Sequence, residues 1–182
     1  MTADLTADDV CRLLNLAPNA PCGSVRVSYV SSLAIAAGGL PAPFAGGQPL
    51  GSALYFLVTP DAPVRLHRIK NDQLYHYYLG DPLELFLLHG DGTPERVIVG
   101  PDLRGGERVQ LLIPGNTFHT ARVIGRRRWF LGGSTEWPGV VPADVEIGNL
   151  DELAAAYPAV AADLRAIAAS IKHDVPAGIG PR

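Results

Sequence analysis

"ALYFLVTPDAPVRLHRIKNDQLYHYYLGDPLELFLLHGDGTPERVIVG", residues 53–100, decides the fold. Its apolar residues come in short segments, "ALYFLV", "VRLHRI", "LYHYYL", "LELFLL" and "RVIV", separated by turn-forming stretches. Segments of this length, recurring about every 8–12 residues, are the strands of a sandwich or barrel. "HGDGTP", residues 89–94, is the clearest hairpin turn. No helical period runs through the block, so βαβ units are excluded.

The same rhythm continues downstream through "RVQLLIPGN", "HTARVI" and "RRWFLGGST". Upstream, "SVRVSYVSS" alternates Val25, Val27 and Tyr29 against Arg26 and Ser28, a half-buried strand pattern. Between these lies "AAGGLPAPFAGGQPLG", residues 36–51, a loop rich in Gly and Pro. Helices are expected only at the ends. In "TADDVCRLLNLAP", Thr6 caps, Asp8 and Asp9 suit the first turn, Val10, Leu13 and Leu14 share a face, and Pro18 closes the segment. In "NLDELAAAYPAVAADLRAIAASI", Leu164, Ile167 and Ile171 share a face, and Pro158 opens a second helix. The expectation is a single domain over 1–182. An all-β barrel core spans about 22–150, a helical extension 150–172, and a frayed, flexible tail 173–182.

Composition narrows the class of partner. The chain has 182 residues, 47% of them apolar, and a formal charge of −3. Its 15 basic residues are mostly scattered, which argues against nucleic acid. The one basic run, Arg126 to Arg128, reads as a charged hairpin tip. Cys11 and Cys22 make neither a disulfide framework nor a CxxC metal site. The first residues are acidic and amphipathic, unlike a signal peptide. No run approaches the ~18 apolar residues of a membrane span. These features predict a soluble cytoplasmic protein with a small-molecule ligand, no nucleic acid and no membrane.

Beyond the strand pattern, "ALYFLVTPDAPVRLHRIKNDQLYHYYLGDPLELFLL", "VGPDLRGGERVQLLIPGNTFHTAR" and "WFLGGSTEWPG" resemble the small single-domain cupins of the DUF985, or Cupin_5, type. The resemblance runs from about Val10 to Tyr157. It implies a cupin jelly-roll barrel of the RmlC-like kind, often dimeric, with a pocket inside the barrel and no fixed reaction. Over the general cupin pattern, His67 falls on the first histidine, Ile69 on the second, Gln73 on the glutamate and Gly80 on the glycine. In the second motif, Pro114 and His119 keep the family spacing, with Asn116 in place of the turn glycine. Relatives of this type usually keep an acid where Gln73 stands, and an aromatic or amide where His119 stands.

Two chemistries follow. A divalent metal needs three or four N/O ligands, for which His67, His119 and the weakly donating Gln73 are candidates. The alternative is a metal-free pocket. Alternation sends Arg65, His67 and Ile69 inward, and likewise Gln73, Tyr75 and Tyr77, leaving His76 and Tyr78 outside. Such an interior fits a small polar molecule, with Arg65 suited to a carboxylate or phosphate, and Gln73 and Tyr55 as further substrate contacts. The facing of Tyr55 is left open by its neighbours. His67, His119, Tyr75 and Tyr77 then carry acid/base catalysis of the isomerase, epimerase or lyase kind, with no cofactor. A metal-dependent oxygenase or hydrolase built on His67 and His119, and a non-catalytic binding module, are the competing readings. Ser134 is no hydrolase nucleophile, because Glu136 stands where the elbow glycine belongs. Glu84, among apolar neighbours, needs a partner such as Arg if buried. Cys22 reads as a small residue near the pocket mouth. Edge strands need covering, and a homodimer does so.

Overall fold

A computed structural model describes residues 5–172; the expected tail over 173–182 lies outside the described residues. In chain order the strands are β1 (Ala17–Pro18), β2 (Ser24–Val30), β3 (Ala34–Ile35), β4 (Gln48–Pro49), β5 (Ser52–Val58), β6 (Val64–Ile69) and β7 (Gln73–Gly80). They continue as β8 (Leu83–Leu88), β9 (Pro94–Val99), β10 (Gln110–Ile113), β11 (Phe118–Val123), β12 (Phe130–Glu136) and β13 (Val145–Ile147). Helix α1 (Ala7–Leu14) precedes them, and α2 (Leu150–Ala156) and α3 (Ala161–Ser170) follow.

The strands form two sheets, in the orders β1-β2-β5-β12-β7-β10 and β13-β6-β11-β8-β9, plus a small β3-β4 ribbon. Pairing within them is antiparallel. The facing sides enclose a core of Phe56, Val58, Val64, Tyr75, Leu83, Leu85, Leu87, Val99, Ile113, Ala121 and Phe130. This is the all-β barrel that the 53–100 block predicts.

Why "LELFLL" reads as one apolar run is now plain. β8 is buried on both faces. Leu83, Leu85 and Leu87 point into the barrel. Phe86 and Leu88 point out, under Tyr157, Leu164 and Ile167 of the C-terminal helices. Each such side chain removed from water stabilises by about 1.5–3 kcal/mol. Glu84 shares the outer side, only 1% exposed, and has two arginine partners: Arg122 Nε donates to it at 2.6 Å and Arg96 pairs with its other oxygen. Arg122 reaches on to Asp163 of α3 at 2.8 Å, tying the helix to the sheet.

At the other sheet α1 packs Val10 against Leu57, Trp129 and Leu131. Thr6 caps it with Asp9 in a reciprocal box, as its hydroxyl accepts from the Asp9 N–H and its own N–H donates to the carboxylate. Two local expectations are corrected. The helix ends on Asn15 in the left-handed conformation, ahead of Pro18. A register shift between Val27 and Tyr29 breaks the alternation of β2, so Tyr29 is exposed. No helix among the described residues is long and apolar enough to cross a membrane.

Candidate functional site

The turn "IPGN" positions the site. Asn116 takes φ 61°, and its N–H donates to the Ile69 carbonyl at 2.7 Å. Gly115 donates to Asp72 at 2.7 Å, and a side chain there would sit 2.4 Å from the Lys70 carbonyl oxygen. The turn is thus docked on the β6–β7 connection, and β11 leaves it with His119 directly opposite His67. The two rings lie 4.3 Å apart, inclined by 54°. His119 has no exposed surface and His67 only 3%.

A bulge in β6 decides what accompanies them. His119 pairs with His67, yet Ala121 pairs with Val64, so Arg65 and Leu66 together oppose Thr120. Val64 and His67 both face the barrel, and Leu66 packs outside under the C-terminal helices. Arg65 is therefore off the inward row on which strict alternation places it.

Backbone carbonyls fix both imidazole tautomers. His67 Nδ1 lies 2.7 Å from the Arg65 oxygen, and His119 Nδ1 3.2 Å from the Thr117 oxygen. A carbonyl only accepts, so each Nδ1 carries the hydrogen and each Nε2 keeps a bare lone pair. The Tyr75 hydroxyl donates to His119 Nε2 at 3.2 Å. The Cys22 sulfur lies 4.0 Å from His67 Nε2. Burial pushes His67 down to about 4 and His119 well below the usual histidine value, the latter helped by the neighbouring His67. Burial likewise pushes the Cys22 thiol up to about 12 and the Tyr75 hydroxyl well above its usual value. At neutral pH the four groups are uncharged.

Beside them sits an acid that the sequence reading passed over. Glu136, 2% exposed, is the direct cross-strand neighbour of Gln73. Its carboxylate accepts from Ser134 Oγ and, at 2.6 Å, from Ser52 Oγ, which in turn accepts from the Val140 N–H. Burial raises its pKa, against the two serine donors. Its charge is felt by both Cys22 and Tyr75. Alternation counted from Phe130 carries the signal, since Ser134 and Glu136 fall on the same face as that core residue.

Other expected site residues lie elsewhere. Tyr77 is inward but half-buried, against Phe130, and its hydroxyl donates to the Gly80 carbonyl at 2.9 Å rather than to a histidine. Tyr55 is on the outer side of its sheet, edge-on to Tyr78 at 6.0 Å, in a groove of about 520 Å³ beside α1. His76 also faces outward, as alternation predicts, and meets Thr135 at 2.9 Å. Gln73 is buried and inward, 3.5 Å from Ser134 Oγ.

The family model described as the cupin superfamily DUF985, Cupin_5, matches residues 8–148. The chain belongs to the Cupin_5 family. Among solved structures, this Cupin_5 protein is similar to a hypothetical protein from Leishmania major, at 26% identity and a TM-score of 0.79, covering 88% of this chain and 97% of that one. A protein from Shewanella oneidensis is similar at 26% identity and a TM-score of 0.78, covering 90% and 97%. A cupin-2 domain from Rhodospirillum rubrum shares the fold at 19% identity and a TM-score of 0.53, covering 84% and 83%. No curated protein matches in sequence.

A cupin metal centre would draw on His67, His119 and a third donor. Among the described residues no three His, Cys, Asp or Glu side chains converge to hold a metal ion. Gln73 adds only a neutral amide, and Glu136 is engaged by two serines. The donor set in this Cupin_5 protein does not fit a three-ligand metal centre.

Proposed function

We propose that this cupin is a small-molecule enzyme of the isomerase, epimerase or lyase kind, moving a proton on a small polar metabolite by metal-free acid/base chemistry. The carrying observation is the Tyr75–His119 hydrogen bond set against His67, with two neutral imidazoles and a neutral phenol in an apolar barrel. A bare Nε2 accepts a proton from a carbon beside a carbonyl, and the phenol O–H donates to the oxygen on which negative charge develops. With their pKa values moved in opposite directions, His119 stays unprotonated and Tyr75 protonated at neutral pH. That is the division of labour an acid/base pair needs. Exposed Tyr29, Val30 and Leu33 near one sheet edge support a homodimer as its working form.

The test is deuterium uptake from heavy water at the carbon next to the carbonyl, across a panel of hydroxy-ketones and hydroxy-aldehydes, followed by NMR. The native protein is expected to label at least one compound. His119→Phe and Tyr75→Phe are each expected to slow labelling by about 10²–10⁴-fold. Equal rates in all three proteins sink the proposal.

A further inference from the structure

The polarity of the buried cluster selects the kind of ligand, an inference that rests on the acid/base reading of the same site. His67 Nε2 and His119 Nε2 are both acceptors, because the Arg65 and Thr117 carbonyls hold the single hydrogen of each ring on Nδ1. Glu136 is an acceptor when ionised. Ser134 has one hydroxyl hydrogen and two acceptors within reach, the Glu136 carboxylate and the Gln73 amide oxygen at 3.5 Å. The carboxylate, nearer and charged, takes that hydrogen. Turning the Gln73 NH₂ toward Ser134 satisfies the remaining Ser134 lone pair and frees the Gln73 carbonyl oxygen to accept from another donor. Two imidazole acceptors, the Gln73 carbonyl oxygen and a buried carboxylate thus belong to the barrel interior, and the bulge keeps Arg65 off the inward row.

In the free protein the two imidazole lone pairs face hydrogen-bond donors already, the Tyr75 O–H and the Cys22 S–H. These internal groups stand where the donors of a ligand would stand.

We propose that the barrel recognises a small molecule rich in hydrogen-bond donors, a polyol or an amine, and rejects carboxylates and phosphates. Glu136, acting through Ser134 and Gln73, is the positioning residue for that preference. An anion would lie close to the buried Glu136 charge, which both Tyr75 and Cys22 feel, with no cationic group among the described residues of the inward row to offset it. A hydroxyl or ammonium group takes the place of the Tyr75 or Cys22 hydrogen on the imidazole, and the freed O–H or S–H donates in turn to an oxygen of the ligand.

Four probes test it: dihydroxyacetone, ethanolamine, glycolate and inorganic phosphate. Each is titrated into the ¹⁵N-labelled full chain while the His67 and His119 Nε2 resonances are followed. Saturable shifts are expected with dihydroxyacetone or ethanolamine, and none with glycolate or phosphate. In Glu136→Gln the ethanolamine affinity is expected to fall by about tenfold, the effect of one unit charge across ~10 Å at an effective dielectric of about 20. Dihydroxyacetone is expected to be little affected by that charge. Ser134→Ala, which keeps the carboxylate but breaks the relay to Gln73, is expected to weaken dihydroxyacetone instead. Glycolate or phosphate binding as tightly as the donor probes overturns the inference, as does silence of both nitrogens toward all four. Dihydroxyacetone that binds, with no hydroxy-ketone or hydroxy-aldehyde of the panel taking up deuterium at carbon, defeats the acid/base reading and leaves the donor preference standing.

Discussion

Acidification should unfold this protein through its buried histidines, and His67 gives the magnitude. Burial holds its pKa at about 4 in the folded barrel, against 6.5 for an ordinary histidine. The unfolded chain therefore binds a proton that the folded chain refuses between those two values. The sign is fixed by linkage: stability from neutral His67 is fully present above pH 6.5 and drains as pH falls toward 4. At about 1.4 kcal/mol per pH unit, the whole window is worth about 3 kcal/mol for this one residue. His119, shifted in the same direction, adds to the slope. Glu136, whose pKa is raised, opposes it over the lower part of the window. The clean measurement is a difference between proteins. Urea unfolding at several pH values from 7.5 to 4.5 should show native stability falling more steeply than that of His67→Gln, by up to one proton's worth of slope. The variant itself will be less stable at neutral pH, which does not affect the comparison of slopes. Parallel curves for the two proteins would refute the claim that His67 is held neutral by burial.

Two further outcomes follow from the same packing. Cys22, with its thiol pushed up to about 12, should be alkylated by iodoacetamide at pH 8 about 10³-fold more slowly than an ordinary cysteine, from thiolate fraction alone; mass spectrometry of the intact and urea-unfolded protein measures the ratio. Arg122→Ala leaves the buried Glu84 with only the more exposed Arg96 and cuts the link to Asp163, so it should destabilise by about 2–3 kcal/mol, less than a fully buried pair because Arg122 is itself a third exposed. Denaturant midpoints check this, and amide exchange should quicken in α3 before it quickens in β8.

Much of the architecture was legible because its causes are local. Thr6 and Asp9 close their own cap, "HGDGTP" makes its own hairpin, and Asn116 accepts a left-handed turn without help. Alternation along β7 correctly turned Gln73 and Tyr75 inward and Tyr78 outward. The double-sided burial of β8 was written as an unbroken apolar run. The need of Glu84 for an arginine was readable too, and two answer it.

The content of the site was decided elsewhere. Whether Arg65 joins His67 depends on one extra residue in β6, and a bulge is a property of two paired strands rather than of either sequence. Tyr55 could not be assigned a face from neighbours that are apolar on both sides, and α1 settled it by covering the outer surface. Glu136 gained its place only when β12 and β7 paired and set it opposite Gln73. The sequence by itself determined the strands, the turns and the pair of histidine-bearing segments, because period and turn chemistry act over a few residues. Tertiary structure alone decided which polar groups share a dry interior, because burial and register join residues far apart in the chain, as with Ser52 and Glu136, 84 positions apart. There the missing water, more than any residue type, sets the charge of every group.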